Sequence, residues 1–84
     1  MFYITITNVP PKATDDDIYK ALGEADFARS FPIQNKEGWF DLQFFDRREV
    51  FRAVEERSEK LMGNEFELLL SAFIRRKTYR ERSA

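Results

Sequence analysis

The sequence contains no cysteine and no histidine. Disulfides, thiolate metal sites, cysteine nucleophiles and imidazole acid–base chemistry are therefore excluded. Only three glycines and three prolines occur, and the glycines nowhere gather into a loop able to cradle phosphates. No apolar run is long enough to span a bilayer, and no signal-peptide pattern is present. The expected setting is intracellular, nucleus or cytoplasm. Carboxylates remain as possible catalysts or ligands, but nothing pairs them at a useful spacing. The run Asp15-Asp16-Asp17 suggests a metal at first sight; a helix start explains it better, because acids favour the positive end of the helix dipole. With no nucleophile–base pair and no ligand cluster, neither an enzyme nor a cofactor, metal or small-molecule substrate is expected.

What is present amounts to one small domain. Eighty-four residues suffice for a single core. The formal net charge of -1 hides an asymmetry. Residues 1–74 carry nine Lys/Arg against fourteen Asp/Glu, whereas residues 75–84 carry five (Arg75, Arg76, Lys77, Arg80 and Arg82) against Glu81 alone. The expected division is a domain over 1–74 and a basic tail over 75–84. Such a tail meets phosphate or an acidic partner, serves as a localisation signal, or is a solvated end.

Hydrophobic alternation organises the chain. In Gly38–Phe45, Phe40, Leu42 and Phe44 point one way while Trp39, Asp41 and Gln43 point the other. Phe2, Ile4 and Ile6 likewise oppose Tyr3, Thr5 and Thr7, and Asn8-Val9-Pro10-Pro11 ends that strand. Thr14 with Asp17 forms a capping pair opening a first helix whose stripe is Ile18, Ala21, Leu22 and Ala25. Phe31 and Ile33 around Pro32 suit an edge strand, joined through Asn35-Lys36-Glu37-Gly38 to the Trp39 strand. Asp46 and Glu49 open a second helix, with Val50, Ala53, Val54 and Leu61 on one face, Arg57 at its edge and Phe51 beside it. After a turn at Met62-Gly63-Asn64, Phe66, Leu68 and Leu70 alternate with Glu67, Leu69 and Ser71 as a fourth strand.

The order strand, helix, strand, strand, helix, strand predicts an α+β, ferredoxin-like βαββαβ sandwich: a four-stranded antiparallel sheet with two helices on one face. Right-handed crossovers place the first and third strands at its centre. The uncovered face then carries Tyr3, Thr5, Thr7, Trp39, Asp41, Gln43 and Leu69.

At this point the chain resembles an RNA-recognition motif (RRM). Ile4-Thr5-Ile6-Thr7-Asn8-Val9 is similar to that family's hexapeptide, and Glu37-Gly38-Trp39-Phe40-Asp41-Leu42-Gln43-Phe44 to its octapeptide. The resemblance implies that bases stack on three outward positions. Those positions are Thr5, Trp39 and Asp41, so only Trp39 retains a stacking ring, and Glu37 stands where the family has a basic residue. At about 1–3 kcal/mol per stacked base, two lost platforms remove about 2–6 kcal/mol of potential affinity.

Single-stranded RNA is the expected partner. Trp39 stacks a base with help from Tyr3. Asn8, Gln43, Thr5 and Asp41 line the contact, and Arg75, Arg76, Lys77 and Arg80 hold phosphates. The alternative is a protein-interaction module with little RNA binding, suggested by the acidic body, the lone Trp and Leu69. A third arrangement, compatible with either, folds Phe73, Ile74 and Tyr79 back over Trp39.

Overall fold

Alternating apolar and polar side chains over Phe2–Ile6 (β1) and Phe40–Phe44 (β3) build the two central strands of a four-stranded antiparallel sheet. The computed structural model describes residues 1–70. The expected tail, 75–84, and the residues Phe73, Ile74 and Tyr79 lie outside them. The remaining elements are α1 (Asp15–Ala21), β2 (Arg29–Pro32), α2 (Arg47–Glu56), β4 (Lys60–Leu61), β5 (Asn64–Glu65) and β6 (Leu68–Leu69). The sheet order is β2-β3-β1-β6, as the crossover argument requires. Its register pairs Ile4 with Leu42 and Phe2 with Phe44, which puts these apolar residues on one face.

That face is the core. Ile4, Ile6, Leu42 and Phe44 are fully buried and cluster with Ile18, Ala21 and Leu22 from the first helix and Val50 and Ala53 from the second. Phe27 meets the Phe44 ring edge-on, with centroids 6.1 Å apart. Both helices therefore lie on one side of the sheet, and Tyr3, Thr5, Asp41 and Gln43 point to the other.

The first helix begins where the capping pair places it. The Thr14 hydroxyl accepts the Asp17 N–H at 3.2 Å, and the Asp17 carboxylate accepts the Thr14 N–H at 2.8 Å. The Thr14 N–H and, after it, the Thr14 hydroxyl, which donates to the same carboxylate at 3.0 Å, hold the Asp17 carboxyl below its ordinary value of 3.8. The Arg48 side chain, and after it the Arg48 N–H, do the same for Asp46 at the start of α2. A carboxyl depressed in the folded state stabilises it fully above the unfolded value, and the contribution is lost as pH falls through the folded one. Thr14→Ala is therefore expected to lower stability by about 1 kcal/mol near neutral pH. In urea titrations the gap from wild type narrows below pH 3.8.

The second helix is shorter than its apolar spacing implies. It ends at Glu56, because Arg57 turns extended (φ -60°, ψ 146°) and its guanidinium donates to the Phe66 carbonyl at 3.0 Å while lying 4.0 Å over the Phe66 ring. Leu61 is buried from a strand, β4, and Val54 stays 38% exposed. The turn at Met62-Gly63 joins β4 to β5 with positive φ at both central residues (51° and 84°), the geometry that suits a tight hairpin. The fourth sheet strand shrinks to Leu68–Leu69, paired with Ile6 and Thr5. At the end of α1, Gly23 (φ +66°) passes so close to α2 that an added Cβ would lie 2.8 Å from the Glu56 carbonyl oxygen. Only glycine fits that approach.

Candidate nucleic-acid interface

The outer face is drier than alternation alone implies. Thr5 is 3% exposed, Asp41 4% and Tyr3 7%. The expectation of an open row of polar groups is corrected here, and cross-strand pairing supplies a reason. Thr5 stands between Asp41 of β3 and Leu69 of β6, and Asp41 between Thr5 and Phe31. The Thr5 hydroxyl donates to the Asp41 carboxylate at 2.7 Å, so the two polar groups satisfy each other. One row along, Gln43 donates from its amide to the Tyr3 hydroxyl at 3.0 Å and stays half-buried. Thr7 is buried as well, its hydroxyl accepting the Glu67 N–H at 3.2 Å.

Asn8 is exposed, at φ 59° in the loop after β1, and its amide donates to the Glu65 carbonyl at 2.6 Å. The next residue, Val9, donates its N–H to the Gly38 carbonyl at 2.9 Å. That bond ties the loop to the residue preceding Trp39. Asn8 and Trp39 thus flank one end of the sheet, while Arg75, Arg76, Lys77 and Arg80 lie outside the described residues.

Trp39 closes the β2–β3 hairpin. Its carbonyl accepts the Ile33 N–H at 2.9 Å and its N–H donates to the Lys36 carbonyl at 3.1 Å. The turn uses Asn35 and Gly38 at φ 66° and 80°. The ring is half-buried, with the Lys36 ammonium 4.2 Å from a ring centroid. An exposed cation–π contact of this kind contributes about 0.5–1 kcal/mol. Sequence reasoning placed Lys36 in a turn and gave it no role; the signal was its position three residues before the one retained aromatic. A shallow depression of about 400 Å³ runs beside this ring, lined by Pro32, Ile33, Lys36 and Phe40 among others. The larger depression near Asn8, about 630 Å³, is lined by Glu59, Glu65 and Glu67. Three carboxylates make it the poorer place for a phosphate.

The register also brings out two residues that alternation around Pro32 did not orient. The Ser30 hydroxyl reaches Asp15 of α1 at 2.7 Å, so Ser30 points to the helix side. Its neighbours Arg29 and Phe31 then project from the outer face, opposite Gln43 and Asp41.

The likeness to solved structures matches this geometry. The chain superposes on the crystal structure of the Glorund qRRM3 domain with a TM-score of 0.71, over 82% of this chain and 91% of that one. The fold is that of an RNA-recognition motif. At 18% identity the likeness to that RRM is one of architecture. No protein-family model matches the sequence, and no curated protein matches it significantly. Among the described residues no group of acids is placed to hold a metal ion, and no helix is long and apolar enough to cross a membrane.

Proposed function

We propose that this chain is a non-enzymatic binding module for single-stranded RNA, acting in the nucleus or cytoplasm. The observation that carries this reading is a half-buried Trp39 immediately before β3 in an RRM-like sheet, with a lysine ammonium beside its ring. An aromatic face next to a cation suits a base and its phosphate, and such stacking tolerates any base. Gln43 and Asn8 remain within reach of solvent and supply hydrogen bonds. Tyr3, Thr5 and Asp41 support this surface from below as paired groups. Arg75, Arg76, Lys77 and Arg80 add phosphate contacts from the tail. Binding is weak beside that of an RRM with three stacking rings, because Thr5 and Asp41 offer none.

The test is fluorescence anisotropy with labelled short RNAs of mixed sequence at 50 and 200 mM salt. Each neutralised phosphate steepens the salt dependence by about 0.7 logarithmic units, so every contact costs roughly 2.6-fold in affinity across that range. RNA affinity that ignores salt would contradict the reading.

A second reading, binding of a protein through the helical side, is favoured by Phe51, which is 57% exposed on α2, and by Val54 nearby at 38%. Loss of partner capture on Phe51→Ser, with RNA affinity unchanged, would support it.

A further inference from the structure

We infer that the outer edge of the β2–β3 hairpin is a second half of the RNA-binding surface, with Phe31 as a stacking platform and Arg29 and Lys36 as phosphate contacts. This rests on the RNA reading above and moves its centre away from the middle of the sheet. Four observations carry it. Phe31 lies directly across from Asp41, and Trp39, two residues before Asp41, stands opposite Ile33, whose N–H its carbonyl accepts, next to Phe40, which packs on the core side. Phe31 and Trp39 are therefore placed as diagonal residues of the hairpin, and residues so placed are about 7–8 Å apart, within reach of aromatic side chains. Phe31 is half-buried and stands outside the core cluster. Arg29 and Lys36 are exposed at opposite ends of this strip, and neither is in an ion pair among the described residues.

The central strands explain why the surface shifts. Thr5 and Asp41 offer no ring, and they are buried against each other. A base entering the middle of the sheet would meet a closed polar pair. At the hairpin edge it meets two π faces with a cation at either end, a charge pattern complementary to a phosphate chain. Lys36 also replaces the positive charge that Glu37 removes from the neighbouring position. Its ammonium rests on the indole in the free protein, and a phosphate is the stronger partner for it. Binding thus draws the lysine off the ring and frees that ring for a base.

The experiment titrates wild type, Trp39→Ala, Phe31→Leu and the double variant R29Q/K36Q with a labelled mixed-sequence RNA octamer at 50 and 200 mM salt. Circular dichroism confirms the fold of each. Phe31→Leu keeps an apolar side chain and removes only the ring. It is expected to weaken binding at least fivefold. R29Q/K36Q is expected to flatten the salt slope by about 1.4 logarithmic units, two phosphates' worth. If wild type binds and Trp39→Ala weakens it, but Phe31→Leu and R29Q/K36Q match wild type in affinity and slope, the hairpin-edge proposal is overturned and the RNA reading stands. If wild type fails to bind the RNA even at 50 mM salt, both are overturned.

Discussion

Trp39→Ala is expected to reduce affinity for short single-stranded RNA by fivefold to more than a hundredfold while leaving the domain folded. The range follows from the stacking energy of one base, about 1–3 kcal/mol. It is large here because Thr5 and Asp41, the positions beside it on an RRM-like sheet, carry no ring. A sheet with three rings shares the load, and losing one leaves two. In this chain Thr5 and Asp41 hold the other two positions and are buried against each other. The indole is half-buried at the mouth of a hairpin, outside the core cluster that secures the fold. Its removal therefore acts on binding far more than on stability. Anisotropy titration gives the affinity, and thermal unfolding checks that the variant still melts cooperatively. An affinity within twofold of wild type would show that the ring does not stack a base.

Phe44→Ala is expected to have the largest effect on stability. Phe44 is fully buried beneath the helices and meets Phe27 edge-on. Truncating a buried phenylalanine costs about 3–5 kcal/mol through lost transfer energy and the cavity left behind. A domain of this length has only about 4–13 kcal/mol in total. The variant should lie near the edge of folding at 37 °C, with a urea midpoint far below that of wild type. A loss under 1 kcal/mol would mean that the core closes over the gap, and that packing around β3 is looser than the structure shows.

Much of the fold was legible because local and global signals agree. Period-two alternation in β1 and β3 set both the strands and the face they bury, and the Thr14–Asp17 capping pair marked a helix start. The end of α2 was not legible. Leu61 sits at helical spacing from Val50 and Val54, and periodicity cannot tell a helix face from a strand that folds back to the same core. What stops the helix is Arg57 reaching Phe66, a contact nine residues on that no local pattern encodes. The site divides the same way. Trp39 was visible from alternation and position. The burial of Thr5 and Asp41 was not, because their hydrogen bond joins two strands 36 residues apart in the chain, a pairing no local pattern encodes. Phe31 reads as an edge-strand residue, but Pro32 breaks the alternation beside it, and its face is fixed only by the bond that holds Ser30 to Asp15 on the helix side.

The most direct measurement is an amide-shift titration of the labelled protein with short mixed-sequence RNA at two salt concentrations. An RNA-binding hairpin face predicts salt-sensitive shifts concentrated at Trp39, Gln43 and Phe31, with the helix residues around Phe51 and Val54 unmoved. An unchanged spectrum at the lower salt, or shifts confined to α2, would contradict it.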